Sequence, residues 1–279
     1  MERLVLDFKT KKIASCRRSL NYLWLAFCFF GLSGCYSVSN TSSDQVGSLG
    51  YDIPEHLEEY YADLEFPGLR SGLHEAVAVH TIAKHTNFLS YGERHNFLYD
   101  ADADPDDAEN VILIYSGESR DRREWTSPNN PHLTQSFNTE HVYPQSMLEG
   151  GAINDLHILR VVDARVNSQR SNRPFASGTG EYSLLDDFRF YPGDEWRGDV
   201  ARMIMYMNLR YDEPFEDVGN LQLFLQWNAI DPVSELEDQR NLVIMEAQGN
   251  RNPFIDNPHL ATIIWGGPQA QNRWESTVE

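Results

Sequence analysis

The sequence predicts an α+β fold that is mainly helical, with a small antiparallel sheet in its middle. Apolar residues recur at helical spacing in long segments towards both ends of the chain. Between them lie short runs rich in β-branched and aromatic residues, such as VILIYSG, FNTEHVY and LHILRVV. Strands and helices that occupy separate parts of a chain are typical of α+β domains. The sequence has no internal repeats and predicts one compact unit.

Three helices are predicted before the first strand. The first covers 54–64, with a Pro in its first turn and a helical apolar pattern. The second covers 71–85 and has a broadly apolar face that includes Val77 and Ile82. The third covers 91–100.

An acidic stretch, 100–110, precedes a strand that we expect at 111–117. Its alternating Asp residues resemble the start of a calcium loop. Pro105 stands where such a loop needs Gly, however, and Val111 stands where it needs Glu. The pattern therefore favours a solvated turn over a calcium site.

Further helices are predicted downstream of the strands. One begins after Asp163, whose side chain is a suitable helix cap. WRGDVARMIMYMNLRY carries apolar residues at positions i, i+3, i+4 and i+7, and its Met residues are expected in the core. Another helix starts near Ser234, with Glu237 placed for a capping box. NPHLATIIWG contains the last, short helix.

The N-terminus predicts export from the cytoplasm. Residues 1–34 contain a basic region, an apolar run too short to span a bilayer, and small residues. The LSGC sequence that ends at Cys35 resembles the cleavage box of bacterial lipoproteins. This resemblance implies lipidation of Cys35, a membrane anchor, and a location in the outer membrane, in the periplasm or on the cell surface. An uncleaved N-terminal anchor helix is the alternative. Residues 35–52 are expected to be a flexible tether and 53–279 the catalytic domain.

The composition restricts the chemistry. Two of the three Cys residues lie in the signal peptide, so the mature chain has neither a disulfide nor a Cys-based zinc site. The formal net charge is −19, and on charge alone nucleic acid is disfavoured as a partner.

The motif NTEHVYPQS places Glu140 directly before His141. Asn167 lies on the helix that we expect after the second strand, so a hairpin followed by a helix could bring the three side chains together. Carboxylate and amide oxygens suit a hard cation such as Mg²⁺. A neutral imidazole can deprotonate water near pH 7, and an Arg can hold phosphate oxygens.

FNTEHVYPQS, DLHILRVVDARVNSQRSNRPF, GDVARMIMYMNLRY and QGNRNPFIDNP together resemble the bacterial endonuclease I family. The resemblance runs from about Tyr60 to Trp265. It implies a secreted nuclease with a central ββα-metal (His-Me) finger that cleaves DNA, with RNA as an alternative substrate. Because the sequence contains no groove-reading helix or multi-finger array, cleavage without sequence specificity is expected. The resemblance also implies His141 as the general base and Glu140 and Asn167 as ligands of Mg²⁺, with Mn²⁺ or Ca²⁺ as alternative cations.

The resemblance does not assign the Arg that binds the phosphate. Arg170 is our first choice, as a catalytic residue, and Arg165 is the second, as a substrate-binding residue. The third choice is the basic island of Arg120, Arg122 and Arg123, for which a salt-bridged loop is an equally strong interpretation.

Some residues near the motif depart from the family or have a simpler explanation. Ile158 and Val161 stand where the family often has Asn and Pro, which affects the local backbone more than the chemistry. For His157, a buried structural histidine is favoured over a metal ligand. Asp155 is interpreted as a turn residue or as one that supports the site.

Two other classes of protein agree less well with the sequence. Zinc-protease motifs are absent from the sequence. A non-catalytic surface lipoprotein with the same fold would explain the N-terminus and the acidic composition, but not the coincidence of Glu140, His141 and Asn167. For a nuclease, the negative charge predicts a polarised surface with Arg residues around His141. Phosphate contacts would bind the nucleic acid, and no obligate protein partner is inferred.

Overall fold

The computed structural model of the protein describes residues 51–67, 70–90 and 92–274. The predicted signal peptide, Cys35 and the tether as far as residue 50 lie outside the described residues. Tyr51 and Asp52, which we assigned to the tether, are packed: the Tyr51 ring lies 5.5 Å from that of Trp274, and the Asp52 amide donates to the Trp274 carbonyl. Within the described ranges, no helix combines the length and apolar character that a membrane crossing requires.

Helices dominate the described ranges. The α-helices are α1 (Glu55–Tyr61), α2 (Arg70–Lys84), α3 (Arg94–Ala101), α4 (Ala164–Arg170), α5 (Arg197–Tyr211), α6 (Leu221–Ile230), α7 (Glu235–Gln248), α8 (Pro253–Asp256) and α9 (His259–Trp265). Short 3-10 helices cover Gln145–Met147, Gly150–Asn154, Leu156–Ile158 and Phe215–Asp217.

The strands are short and every pair is antiparallel. They are β1 (Ala103–Asp104), β2 (Asp107–Ile112), β3 (Ser119–Asp121), β4 (Phe137–His141), β5 (Leu159–Asp163), β6 (Ser183–Leu184) and β7 (Phe190–Tyr191). The α+β class is confirmed, but the single predicted sheet is wrong. The described strands form three sheets, β1–β2–β3, β4–β5 and β6–β7. An isolated bridge between Ile114 and Val162 links the segment after β2 to β5, and Arg120 of β3 pairs with Asp163 of β5.

Most helix predictions are confirmed, including α5, which is buried along most of its length, and α7, whose capping box forms at Ser234. The prediction that Ile82 belongs to the apolar face of α2 is wrong, since 38% of the Ile82 surface is exposed. The buried face of α2 continues from Leu73 and Val77 to Thr81. Ile82, the next residue in sequence, points away from this face. Helix α6 was not predicted.

The strand predicted for 111–117 is wrong at both ends. β2 begins within the acidic stretch, where Asp104 and Asp107 close the turn between β1 and β2. It stops at Ile112 because the chain then reverses into β3 through a turn in which Tyr115 and Gly117 both have positive φ, 75° and 69°. The turn predicted for the acidic stretch is confirmed only at Pro105 and Asp106, which are exposed, because α3, β1 and β2 take up most of its other residues. The predicted strand is replaced in part by a tight turn.

Asp102 is a buried carboxylate at the end of α3. Its Oδ1 accepts from Arg160 Nε at 2.8 Å and from Arg240 Nη1, and its Oδ2 accepts from the Val161 amide at 2.7 Å. The Asp102 carbonyl accepts from the Ile112 amide at 2.8 Å. One residue thus joins α3, β2, β5 and α7, and its side chain is not open to a calcium ion.

Arg160 extends the buried charge cluster into α5. Its Nη1 donates to Asp199 at 3.1 Å. Arg202, one turn along the helix, makes two hydrogen bonds to Glu237, at 2.6 and 2.7 Å. Each buried guanidinium therefore faces a carboxylate, which a buried charge requires.

The beginning and the end of the described chain pack together. Tyr61 Oη donates to Asp256 at 2.6 Å, and Tyr60 Oη accepts from the Arg251 amide at 2.9 Å. Arg251 in turn pairs with Asp256. These contacts join the segment that contains Arg251 and Asp256 to α1.

Replacement of Asp102 by Asn is expected to lower the free energy of unfolding by about 3–5 kcal/mol, because the buried Arg240 loses its ion-pair partner and the buried Arg160 keeps only Asp199. Chemical denaturation of the variant measures this loss. Asp106→Asn is the matched control in the same acidic stretch. Asp106 is exposed, so its change should stay within about 0.5 kcal/mol. Equal stability of the two variants would contradict the central role of Asp102.

Stability is expected to fall as the pH is lowered from about 6.5 towards 4. Burial lowers the pKa of both His80 and His157 to about 4, so between these values the unfolded chain binds protons that the folded chain does not. The stabilisation is complete above the unfolded pKa. Denaturation measured across this range should show a shallower slope for His80→Phe, which retains the ring stacked on Tyr61. An unchanged slope would exclude His80 as a contributor.

Candidate active site

Strands β4 and β5 and helix α4 form a ββα unit. The two strands pair from Phe137↔Asp163 to His141↔Leu159. Asp163 ends β5 and caps α4, because its Oδ1 accepts from the amides of Arg165 and Val166 at 2.8 and 3.1 Å. The predicted cap is therefore confirmed, and it starts α4 directly beside the hairpin.

Glu140 is buried, with 2% of its surface exposed. Its Oε1 accepts a hydrogen bond from Tyr115 Oη at 2.8 Å and lies 3.4 Å from Arg170 Nη1. Burial raises the pKa of Glu140, although Arg170 and the Tyr115 hydrogen bond oppose the shift. In its ionised form, the buried carboxylate of Glu140 attracts a further positive charge to its surroundings.

His141 is anchored to the backbone of the loop that joins the strands. Its Nε2 lies 3.0 Å from the carbonyl oxygen of Ile153. A carbonyl only accepts, so Nε2 carries the hydrogen and Nδ1 carries the lone pair. Burial lowers the pKa of His141 to about 4, with smaller contributions in the same direction from Arg94 and Arg170. The imidazole is thus neutral at pH 7 and able to accept a proton.

The neighbouring side chains of Glu140 and His141 enter different surroundings. The ladder continues to a bond from the Val142 amide to the Ile158 carbonyl at 3.1 Å, and the chain bends at 142–143. Strand β4 therefore ends at His141, and the bend follows directly after it.

Asn167 lies on α4 against β4. Its Nδ2 donates to Asn138 Oδ1 at 2.7 Å and to the Thr139 carbonyl at 3.1 Å. Because both amide hydrogens are used, the side chain is oriented and Oδ1 is the atom that remains to face a cation. The structure therefore places Asn167 beside the strand that carries Glu140.

Carboxylate and amide oxygens are ligands that a hard divalent cation accepts. In the part of the chain that the structure describes, no group of three or more His, Cys, Asp or Glu side chains is arranged to hold a metal. Glu140 and Asn167 offer instead one carboxylate and one amide oxygen. Mg²⁺ commonly keeps several waters and takes few protein ligands, so such a pair suits it.

Arg170 is buried beneath the site, with 1% of its surface exposed. Its Nη1 donates to the His141 carbonyl at 3.1 Å and its Nη2 to the Val142 carbonyl at 2.6 Å. The guanidinium also lies over the Phe175 ring, 4.7 Å from its centroid. These contacts hold the end of β4 and turn the guanidinium towards the interior.

The other predicted arginines differ in exposure. The Arg165 side chain is 90% exposed, and its only ion pair is a 3.8 Å contact to Asp163. Within the basic island, each guanidinium is paired with a carboxylate: Arg120 with Asp163 and Glu118, Arg122 with Asp100, and Arg123 with Asp121. Of the five, Arg165 is therefore the most accessible to a ligand.

Asp155 and His157 belong to a buried polar network. Asp155 accepts from Tyr206 Oη at 2.6 Å and Tyr211 Oη at 2.8 Å, and His157 Nε2 lies 3.1 Å from the Asn250 carbonyl. Burial alone would raise the pKa of Asp155, but the nearby His157 and other partners lower it to about 2. His157 is thus a satisfied core histidine, as the sequence favours.

Val161 explains one departure from the family pattern. Its amide donates to Asp102 Oδ2, a bond that a Pro at this position could not make. The sequence did not reveal two contributors to the site, the Ile153 carbonyl and Tyr115. The first is a backbone atom, and the second lies in a segment that resembles a strand.

Comparison with known proteins identifies the family of the sequence. The chain matches the Endonuclease I family over residues 72–259. The chain is 38% identical to the extracellular ribonuclease of Bacillus subtilis over 224 residues, 71% of this chain and 74% of that protein. It is 37% identical to the extracellular ribonuclease of Bacillus amyloliquefaciens, over 71% and 73% of the two chains. An extracellular deoxyribonuclease of Aeromonas hydrophila is 34% identical over 112 residues, 37% and 49% of the two chains.

The chain belongs to the Endonuclease I family. The matched range contains Glu140, His141, Asn167 and Tyr115. The family predicted from the sequence motifs is therefore confirmed, and the extracellular nucleases among the relatives support the predicted class of enzyme.

Replacement of Asp163 by Ala is expected to lower the free energy of unfolding by about 1–2 kcal/mol, because α4 loses its N-cap. Asp163→Asn should cost less, since Asn caps helices as well as Asp does. Urea denaturation of both variants makes the comparison. If Asn is as costly as Ala, the ion pair with Arg120 matters more than the cap.

Proposed function

We propose that this protein is a secreted nuclease that hydrolyses phosphodiester bonds in DNA and RNA with the help of a divalent cation. The observation that carries the proposal is the orientation of His141. Its Nε2 hydrogen is bound to the Ile153 carbonyl, which leaves Nδ1 free to act as a base, on the same ββα unit that carries Glu140 and Asn167. Family membership supports the same class of reaction.

In the proposed reaction, His141 Nδ1 takes a proton from the water that attacks the phosphorus atom. The hydrogen bond from Nε2 to Ile153 holds the ring and stabilises the positive charge that develops on it. Bound at Glu140 and Asn167, Mg²⁺, or Mn²⁺ or Ca²⁺ in its place, would supply a Lewis acid that stabilises charge on the phosphate and on the leaving oxygen.

The arginines have different proposed roles. Arg165, exposed and two positions from Asn167, is the proposed phosphate contact. Arg170 is proposed to position Glu140 and the end of β4, because its guanidinium is held by backbone carbonyls. The basic island of Arg120, Arg122 and Arg123 is proposed to make weaker contacts with the nucleic acid. Contacts to phosphates carry no base information, so cleavage without sequence specificity is expected.

RNA is proposed as a substrate on an equal footing with DNA. The relatives named as ribonucleases align with this chain over 224 residues, and the deoxyribonuclease of Aeromonas hydrophila over 112. The similarity to the ribonucleases thus extends well beyond the segment that the deoxyribonuclease shares. Both polymers offer the same phosphodiester to His141.

The proposed location rests on the sequence of the N-terminal segment. We propose that residues 1–34 direct export, that Cys35 carries the lipid anchor, and that the catalytic domain follows the tether. The extracellular relatives support a site of action outside the cytoplasm. The proposed nuclease needs no obligate protein partner.

The decisive test is cleavage of plasmid DNA and of RNA by the form that begins after Cys35, with Mg²⁺ and with EDTA. Loss of the base in His141→Ala is expected to reduce the rate by about 10²–10⁴-fold. His56→Ala is the matched control, because His56 is exposed on α1 and should leave the rate unchanged. A folded protein that cleaves neither polymer with any divalent cation would instead support the non-catalytic surface lipoprotein.

A further inference from the structure

Tyr115 is a buried residue in an unfavourable backbone conformation. It lies in the turn between β2 and β3 with φ of 75°, and 3% of its surface is exposed. Positive φ is uncommon for a bulky side chain, and such residues persist where their surroundings determine the conformation.

The surroundings of Tyr115 hold it from several directions. The turn is closed by bonds from the Leu113 amide to the Glu118 carbonyl at 3.0 Å and from the Gly117 amide to the Leu113 carbonyl at 2.9 Å. The Ile114 amide donates to the Val161 carbonyl at 2.9 Å, which fixes the turn on β5. The Tyr115 ring packs edge-on against that of Phe190, with centroids 5.0 Å apart.

This conformation directs the phenol at Glu140. Tyr115 Oη donates to Glu140 Oε1 at 2.8 Å, whereas Arg170 Nη1 lies 3.4 Å from the same oxygen. An ion pair with good hydrogen-bond geometry is shorter, about 2.7–2.9 Å. The phenol therefore makes the shorter of the two contacts to Oε1, and none of the described residues hydrogen-bonds to Oε2.

We propose that Tyr115 is a positioning residue of the cation site, whose hydroxyl holds Glu140 so that Oε2 faces the divalent cation. The inference rests on the proposed function of Glu140 as a cation ligand. Without the phenol, the carboxylate rotates towards Arg170 and forms a full ion pair. That pair competes with the cation for the same negative charge.

The test is Tyr115→Phe in the full chain, purified in detergent, with Mg²⁺ and Mn²⁺ binding measured by calorimetry. Loss of a group that orients a ligand typically weakens metal affinity 10–100-fold, so the Kd is expected to rise by about this factor. The cation concentration for half-maximal cleavage should rise in parallel. The rate at saturating cation should recover to near that of the unmodified protein.

Tyr61→Phe is the matched control. Tyr61 is also buried, and its hydroxyl donates to another carboxylate, Asp256, at 2.6 Å. Both variants lose one phenol–carboxylate bond and keep their ring, but only Tyr115→Phe should change the cation Kd. Thermal unfolding checks that both fold. Should Tyr115→Phe fail to fold, 3-fluorotyrosine at position 115 changes the donor strength while keeping the bond, and the Kd is again expected to shift.

The outcomes separate the two proposals. If the unmodified protein binds no cation and cleaves neither polymer, the proposed function is wrong. If it is cation-dependent but Tyr115→Phe binds the cation equally well, only the role of Tyr115 is wrong. A Kd that rises equally in Tyr61→Phe would also overturn it, because the effect would then come from general loss of stability.

Discussion

The buried charge of Asp102 is the constraint on which the centre of the molecule depends. A carboxylate removed from water is tolerated only with its hydrogen-bonding and charged partners in place. Asp102 meets this requirement by drawing Arg160 from β5, Arg240 from α7 and the Val161 amide to one point. The position of β5 is thereby set by electrostatics as well as by packing. Since Arg160 is opposite Glu140 in the register of the hairpin, β4 is placed with it.

The ββα unit gives two adjacent residues different chemical properties. Glu140 is surrounded by a phenol and a guanidinium, which keep a buried carboxylate oriented. The next side chain, His141, meets a backbone carbonyl that selects one tautomer, and its burial keeps it neutral. The α4 helix then adds the oriented amide of Asn167. Each property comes from contacts within or directly beside the ββα unit, and the Asp163 cap fixes the start of the helix that carries Asn167.

Local patterns predicted those parts of the structure that neighbouring residues determine. The Asp163 cap, the Ser234 capping box and the burial of α5 follow from short-range spacing, and the motif located Glu140 and His141 correctly on a strand end. Features set by distant residues were not predictable in this way. Tyr115 resembles a strand residue until β5 and Phe190 hold it in a turn. Likewise, Arg170 is an ordinary helical Arg until its interior partners are known.

The contacts between the two ends of the described chain have a consequence for folding kinetics. Tyr61 and Asp256 are separated by 195 positions, and the Asp52 amide bonds to Trp274. Contacts of such high sequence separation carry a large loop-closure entropy and slow the folding of a domain. The ββα unit, by contrast, joins strands that are close in sequence. The unit can therefore assemble early. The contacts between the two ends of the described chain can form only after the C-terminal segment has been synthesised, and until then the chain stays accessible to proteases.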